Sequence, residues 1–590
     1  GALSPGGGVH ARTAKAIPIT PQVRAALGIT AEVLTPAELI SALLRAPVDL
    51  LWNGGIGTYV KATSEAQAAA GDRTNDALRI NASELRCRVV AEGGNLGLTQ
   101  RARVEYARAG GLVNTDAIDN SAGVDCSDHE VNIKILLDAV VAAGRLSEDE
   151  RNELLAAMAD DVAELVLQDN REQNRTLTNA RAGAPSMIDV HTRLMRHLEE
   201  TGRLDRALEF LPSDEELAAR AGDGIGLVVP ELAVLLAYVK IDAFSALLDS
   251  DLPDEAHFRS ELLEYFPEAL RSRFAEDIAE HPLRREIVAT RLANTTVNFG
   301  GTSLLFRVGE ETGAGIPDIV RAHVAAREVF GADGLRARIE HLRPRLDADT
   351  HVGMVLELRK LVERATRWFL RHGRTPFEVS AAVERYGPPV AALLPLIPET
   401  LGADDRAAMA ARAEALVAAG VPSDLAHSVA GLEPAFSALD VVEVAERCGW
   451  STDAVAGVYF ALGQQVELDW LRDQIGNLPR GNRWQALARD ALRDDLYQLH
   501  ATLTAQLLSF GGEAGGPDGA PRSGGARAAE GAEGGPEGGH RLVEAWVEEH
   551  AAGVERARSV VADVRAAAES DVAALTVAVR ELRALATPVE

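Results

Sequence analysis

The stretch Asp49-Leu50-Leu51-Trp52-Asn53-Gly54-Gly55 decides the fold of this chain, because a short apolar run stops abruptly at Asn and two Gly residues. The same pattern recurs at residues 88–95 and, in shorter form, at residues 112–114. Between the second and third runs, a helix is predicted to begin after Thr99 and to end before Gly110. Short buried strands separated by helices predict a parallel sheet with crossover connections. Ligands bind such sheets at the carboxyl ends of the strands.

After this α/β region the apolar residues follow the period of helices. A Ser or Thr followed three residues later by Glu predicts helix starts at Thr35, Ser127, Ser147 and Ser213. Beyond Phe330 we find no strand signal in the sequence. The remainder of the chain is therefore expected to be mainly helical, ending in a pair of helices over residues 542–585.

Composition excludes several classes of function. The formal net charge of −28 argues against nucleic-acid binding, since no basic stripe offsets it. The most apolar stretch, residues 227–248, contains one proline and three charged residues, which argues against a membrane span. The three cysteines are far apart and form neither a zinc pattern nor a disulfide framework, so a cytoplasmic location is expected.

The three strand ends carry the candidate chemistry. Glycine lets a flat ligand approach the backbone, and Asn side chains offer both a donor and an acceptor. A pocket for the nicotinamide and ribose of a dinucleotide needs both properties. Taken from the residues alone, Gly and Asn at strand ends are more often plain turns.

The amino-acid sequences of these segments resemble those of a known family. Successive parts of the nucleotide domain of glutamate dehydrogenases, and specifically of the large-subunit NAD-specific branch, are similar to residues 49–55, 90–95, 115–130, 230–238 and 281–298. The resemblance is most specific over residues 1–140 and diffuse beyond residue 330. It implies an α/β fold class, with the second half of a Rossmann-like nucleotide-binding domain built on a parallel sheet, followed by a long mainly α-helical region.

The resemblance also implies a division of the chain and an activity. The first two expected domains are the half nucleotide domain (residues 1–140) and a helical domain on the catalytic core (residues 141–330). A helical C-terminal domain (residues 331–510), a flexible Gly/Ala/Pro linker (residues 511–540) and terminal helices (residues 541–590) are expected to follow. The expected activity is NAD-dependent oxidative deamination of L-glutamate to 2-oxoglutarate and ammonia. Assembly as a homo-oligomer and amino-acid allosteric effectors are expected as well.

Site residues are carried over position by position. In the family, the cofactor is contacted at the positions of Gly54, Gly55, Asn95 and Asn120. The glutamate side chain is contacted at the positions of Val124 and Ser127. The catalytic Lys and Asp of the family have no counterpart in this chain. Since the chain also starts at Gly1 without Met, we expect a C-terminal fragment that is inactive alone.

Two of these assignments have competing explanations. Ser127 with Glu130 can serve simply as a helix N-cap, which the residue pattern alone favours over substrate binding. A group of acidic residues with one histidine could suggest a metal: Asp116, Asp119, Asp125, Asp128, His129 and Glu130. Their spacing matches no ligand pattern and the family needs no metal, so capping and hydrogen bonding are expected instead.

Two other functions remain open at this stage. The chain could be a non-catalytic helical regulatory or scaffold protein with a vestigial sheet, or a dehydrogenase for a different amino acid, such as a branched apolar one. Ser127 and the polar loop around it argue against an apolar substrate, which has no use for a carboxylate donor.

Overall fold

The computed structural model describes residues 3–373, 377–512, 535–567 and 571–586. The chain divides into two compact units, residues 1–304 and residues 305–590. Nowhere in the described part is a helix both long enough and apolar enough to cross a membrane.

The strands all lie in the first unit. They are β1 Ile17–Pro18, β2 Val33–Leu34, β3 Leu50–Asn53, β4 Val60–Lys61, β5 Ile80–Asn81 and β6 Val89–Glu92. Strands β3 and β6 pair in parallel with Leu50 opposite Val89, which confirms the first two predicted strands and their parallel direction. Strands β4 and β5 are also parallel, whereas β1 and β2 are antiparallel; none of these four was predicted.

The third predicted strand, residues 112–114, joins the sheet only at its first residue. Leu112 forms a single parallel bridge with Val89. The Val90 amide donates to the Leu112 carbonyl over 2.9 Å, and the Leu112 amide donates to the Arg88 carbonyl over 3.0 Å. The prediction was right in place and direction but wrong in length, because the chain turns into a new helix after Asn114.

The helices of the first unit lie between these strands along the chain or follow the last of them. They are α1 Pro21–Leu27, α2 Pro36–Leu44, α3 Gln100–Arg108, α4 Asp116–Asp119, α5 Ala122–Ala142, α6 Glu148–Ala157, α7 Ala159–Gly183, α8 Ile188–Glu200, α9 Asp214–Gly222, α10 Val229–Leu248, α11 Arg259–Tyr265, α12 Glu268–Ala279 and α13 Arg284–Gly300. Helix α3 packs on the sheet through Ala102 and Tyr106, which lie in one buried cluster with Val60, Ile80 and Val90.

Four of the predicted helix starts are confirmed and one is wrong. Thr35, Ser147 and Ser213 each form a reciprocal capping box, and Thr99 accepts a hydrogen bond from the Ala102 amide. Ser127, in contrast, lies inside α5, which begins at Ala122. Because the Asp125 amide already donates to the Ser121 carbonyl over 3.0 Å, the helix is under way before Ser127 and no cap is needed there.

The second unit is helical throughout its described residues, as predicted beyond residue 330. Its helices, starting at the unit boundary, are α14 Leu304–Thr312, α15 Ile316–Val329, α16 Ala332–His341, α17 Ala348–His372, α18 Val379–Leu393, α19 Ile397–Thr400, α20 Ala403–Ala418, α21 Ser423–Ala430, α22 Leu432–Ala435, α23 Ala438–Cys448, α24 Thr452–Gln465, α25 Leu468–Asn477, α26 Arg483–Gly512, α27 Gly535–Glu549, α28 Ala551–Ala566 and α29 Val572–Ala584.

The end of the chain differs from the prediction. Three helices, α27 to α29, stand where a pair was predicted, because the chain breaks at His550 and Asp571 caps a separate last helix. The predicted linker at residues 511–540 falls mostly on residues 513–534, which lie outside the described residues. At the two ends of this range, α26 extends to Gly512 and α27 begins at Gly535.

Candidate functional site

The three strand-end loops meet at one edge of the β3–β6 sheet. The Gly94 amide donates to the Asn53 carbonyl over 3.1 Å. A Cβ on Gly94 would lie only 2.5 Å from the Gly55 carbonyl oxygen, so the backbones of the first two loops are in direct contact. The third loop joins them where the side-chain Nδ2 of Asn120 donates to Asn95 Oδ1 over 2.8 Å. Gly55, Asn95 and Asn120 are thus brought together as parallel strand ends predict.

A buried ion pair next to the three loops holds their junction in place. Glu92, at the end of β6, is fully buried and accepts two hydrogen bonds from Arg103 on α3, over 2.6 and 2.9 Å. Its Oε1 also accepts from the Leu98 amide over 3.0 Å. Burial alone would lower the pKa of Arg103, but the hydrogen bonds and charge of Glu92 outweigh it and raise that pKa. The pair therefore holds the second loop against the helix that follows it.

Asp119 ties the third loop to the same strand end. Its Oδ2 accepts from the Glu92 amide over 2.9 Å, and its Oδ1 accepts from the Asn114 side chain over 2.7 Å. Burial raises the pKa of Asp119. A carboxylate that bridges two loops in this way fixes their separation.

Asp116 makes a second bridge of the same kind. It accepts from the Leu96 amide over 2.8 Å and lies 3.1 Å from the Arg103 guanidinium. Leu96 has a φ of 57°, a left-handed conformation that costs a branched residue about 1 kcal/mol or more. The bridge from Asp116 therefore maintains a strained turn next to Asn95.

The cofactor positions predicted from the sequence lie open at this junction. Gly54, Gly55 and Asn95 are exposed, and a Cβ on Gly55 would meet no atom within 4 Å. Beside them Trp52 is 69% exposed and Ile56 is 89% exposed. Flat apolar surface next to open glycine backbone is what the ring and ribose of a dinucleotide require.

Three functional candidates were not singled out in the sequence. Asn53 has a buried side-chain nitrogen without a hydrogen-bond partner among the described residues, and its Oδ1 accepts from the Gly55 amide over 3.4 Å. Glu92 and Arg103 form the buried pair described above. A carboxylate at a strand end followed by an arginine in the next helix is a weak signal, and only the fold shows that the two meet.

The predicted substrate positions occupy the exposed face of α5. Val124 is 74% exposed and Ser127 is exposed as well. Val124 and Ser127 are three residues apart, so they follow one another along one side of the helix, and Asn120 lies two residues before the helix begins. The helix thus continues the cofactor junction into a surface that carries an apolar group and a hydroxyl.

The acidic residues considered for a metal separate into different roles. Asp116 and Asp119 bind loop amides, Asp128 accepts from the Tyr265 hydroxyl over 2.8 Å, and Glu130 pairs with Lys134. This is the hydrogen bonding that the sequence predicted for them.

Asp125 and His129 point the other way, into a half-buried group with Asp169 from α7. One potential ligand atom from each of the three lies within 4.8 Å of the others. The ammonium of Lys240 lies close enough to Asp125 and Asp169 to favour their ionised forms, while burial lowers its own pKa to about 8. A protein cation beside these carboxylates competes with a metal, so the residues fit a charge cluster better than a metal site.

Replacing Asp125 with Asn is expected to raise the melting temperature more at pH 8 than at pH 5. Burial and the charges of Asp169 and Asp128 raise the pKa of Asp125 to about 7, above its ordinary 3.8. The wild-type carboxyl therefore stabilises the fold fully below its unfolded pKa, and this contribution is lost as the pH rises through about 7. Thermal melts at pH 5, 6, 7 and 8 test this. Asp138→Asn, an exposed change on the same helix, should show no such trend, and neither variant showing one would contradict the prediction.

Comparisons with known proteins match the chain to two family models. Residues 224–584 match the family model described as glutamate dehydrogenase, C-terminal. Residues 1–180, which contain the three loops and most of α7, match the model described as bacterial NAD-glutamate dehydrogenase, catalytic domain.

Individual relatives are similar over nearly the whole chain. NAD-specific glutamate dehydrogenase of Pseudomonas aeruginosa is 45% identical over 99% of this chain, and that of Mycobacterium tuberculosis is 43% identical over 98%. The protein of the same name from Halomonas elongata is 42% identical over 99%. The chain spans 35% of the length of each of these curated relatives.

Proposed function

We propose, since this chain belongs to the family of NAD-specific glutamate dehydrogenases, that it takes part in the NAD-dependent oxidative deamination of L-glutamate to 2-oxoglutarate and ammonia. In this proposal the β3–β6 sheet is the second half of a Rossmann-like nucleotide-binding domain. The observation that carries it is the hydrogen bond between Asn95 and Asn120 at the point where three strand-end loops meet. Two side-chain amides held together beside open glycine backbone suit the nicotinamide and ribose of NAD.

The cofactor side of the site is built from backbone and amides. The open backbone of Gly54 and Gly55 would lie along the dinucleotide, where a side chain would obstruct it. Asn95 would bind the ribose and Asn120 the nicotinamide side, each with a donor and an acceptor. The unpaired buried nitrogen of Asn53 offers one further donor at the same edge.

The substrate side lies on α5. Val124 would contact the methylene groups of glutamate, and the Ser127 hydroxyl would donate to its side-chain carboxylate. The chemistry that NAD supplies is acceptance of a hydride from the α-carbon of glutamate. The residues of this chain bind and orient the two reactants, and the Lys and Asp that the family uses for catalysis have no counterpart identified in this chain.

The test is glutamate-dependent reduction of NAD, followed at 340 nm with the protein at its natural length. Reduction with glutamate, and none with branched apolar amino acids, would support the proposal. Reduction with the apolar substrates alone would point to a different amino-acid dehydrogenase. Absence of NAD binding would favour a helical regulatory or scaffold protein.

Replacing Ser127 with Ala is expected to raise KM for glutamate about 10- to 100-fold, the loss of one hydrogen bond to a charged group. KM for NAD should stay within about twofold, because Ser127 lies inside α5, whereas Asn120 is seven residues earlier and precedes that helix. Cys126→Ala is the matched control, since this exposed neighbour points about 100° around the helix. Equal changes in both KM values would refute the substrate role of Ser127.

Further parts of the proposal concern the whole protein. Assembly as a homo-oligomer, control by amino-acid effectors, a cytoplasmic location and the five-part domain division all follow from the family or the composition. They stay predictions.

A further inference from the structure

The second unit contains a cavity of about 340 Å³ among the helices α17, α23 and α26. Each helix contributes one face. From α17 come residues 364, 367, 368, 371 and 372; from α23 come 440, 443, 444 and 447; and from α26 come 493, 494, 497, 498, 501 and 502. Spacings of three and four residues place each set on one side of its helix. The cavity falls within the size range of small-molecule sites.

Arginine dominates the charged lining of this cavity. Five arginines face three carboxylates: Arg364, Arg367, Arg371, Arg447 and Arg493 against Asp440, Glu443 and Asp494. Two of the carboxylates are already engaged by cations, since Arg371 pairs with Asp494 and Arg385 lies 2.8 Å from Glu443. The lining therefore has an excess of positive charge.

Two of the five guanidinium groups make no ion pair or hydrogen bond within the described part of the chain. Arg367 is held by Glu311 and Glu363, and Arg493 lies 3.0 Å from Asp490. Arg364 is half-buried and Arg447 is exposed, and neither makes an ion pair or hydrogen bond within the described part of the chain. They lie on different helices, α17 and α23, so they approach the cavity from two sides.

The arginines also oppose one another electrostatically. Burial, together with the charges of Arg367, Arg364 and Arg489, lowers the pKa of Arg493 to about 10 against the opposing effect of Asp490. Burial and Arg367 lower the pKa of Arg371 in the same way. Like charges held together in a partly desolvated cavity are stabilised by a bound anion.

The rest of the wall is rigid and partly aromatic. Trp368 is buried, donates to Asp440 Oδ1 over 2.7 Å and stacks against His372 at 4.6 Å. Phe436 and Tyr497 meet edge to face at 4.8 Å. These contacts fix the shape of the cavity without using Arg364 or Arg447.

We propose that this cavity is a binding site for a small polyanion whose charged groups, carboxylates or phosphates, pair with Arg364 and Arg447. Guanidinium groups bind both anions through paired N–H donors, and two of them from different helices select a ligand with at least two negative groups. The inference stands on the second unit alone and does not depend on the proposed function.

Calorimetric titration of the full chain with citrate and, separately, with inorganic pyrophosphate tests the proposal. At least one probe should bind saturably with a stoichiometry near one, and added salt should weaken it. The stronger probe identifies whether carboxylate or phosphate is preferred. Arg364→Gln and Arg447→Gln should each weaken binding about tenfold, the loss of one charge-assisted contact.

The control is Arg338→Gln, which removes an arginine of the same unit from an exposed pair with Asp424. It should bind the probe as the wild type does. Because Arg364 and Arg447 have no partner to leave unpaired among the described residues, neither variant should melt at a lower temperature than the wild type. Saturable binding of neither probe, or equal affinity of wild type and both cavity variants, would overturn the proposal.

Discussion

Replacing Arg103 with Leu is expected to destabilise the first unit by about 3–5 kcal/mol, the usual cost of removing one partner of a buried ion pair. The carboxylate of Glu92 would stay fully buried, and the backbone amide of Leu98 would be its one remaining hydrogen-bond donor among the described residues. Asp116 would lose its cation as well. Urea unfolding, followed by the transition of the first unit, measures this loss.

Arg108→Leu is the matched control, because Arg108 is on the same helix and exposed. Its effect should be within about 0.5 kcal/mol, as for an ordinary surface change. A double variant, Glu92→Leu with Arg103→Leu, should recover part of the stability, since no buried charge is then unpaired. An Arg103→Leu loss below about 1 kcal/mol would mean that the pair does not hold the loops.

The sheet was predictable where strand and turn signals coincide. Strands β3 and β6 each consist of three apolar residues and one polar residue, and two glycines follow each strand directly, so both the strand and its end are visible in the sequence. Strands β4 and β5 are only two residues long, and such short pairs have no periodicity to detect. They form because Val60 and Ile80 are buried together by the fold around them.

The same sequence pattern gave one correct and one wrong helix start. Ser147 accepts from the Glu150 amide over 3.2 Å at a true N-terminus. At Ser127 the pattern is identical, but Asn170 from α7 donates to the Ile118 carbonyl over 2.7 Å and to Ser121 Oγ over 3.0 Å. These contacts join residues about 50 positions apart and hold the chain so that the helix begins before Ser127. The local sequence around Ser127 does not reveal them.

The sequence predicted which loops form the candidate site, but it did not predict the hydrogen bonds that hold those loops together. Strand ends that face one edge predicted that Asn95 and Asn120 would be neighbours, and they are hydrogen bonded. The carboxylates that fix the loops, Glu92 and Asp119, act through contacts that depend on the exact separation of strand and helix. Such distances follow from packing and are not written in the spacing of residues.

Replacing Gly94 with Ala is expected to weaken NAD binding about 10- to 100-fold. The new Cβ would lie 2.5 Å from the Gly55 carbonyl oxygen and 2.9 Å from its carbonyl carbon. Both are backbone atoms, so the first two loops would have to separate by about 1 Å to reach a normal contact distance. A shift of that size takes the loop atoms out of hydrogen-bonding distance of the cofactor, and losing one or two such contacts costs about 10- to 100-fold in affinity. Titration of NAD into the protein at its natural length, followed by protein fluorescence, measures the affinity.

Two other glycines separate a loop displacement from a general effect of alanine. Gly222→Ala places its Cβ where no atom lies within 4 Å and is far from the loops in sequence, so NAD affinity should not change. Gly55→Ala also meets no protein atom within 4 Å. It should therefore weaken NAD binding only if the dinucleotide itself passes over that backbone. Loss of affinity in Gly94→Ala and Gly55→Ala, but not in Gly222→Ala, is the expected pattern. Unchanged affinity in both loop variants would place the cofactor elsewhere.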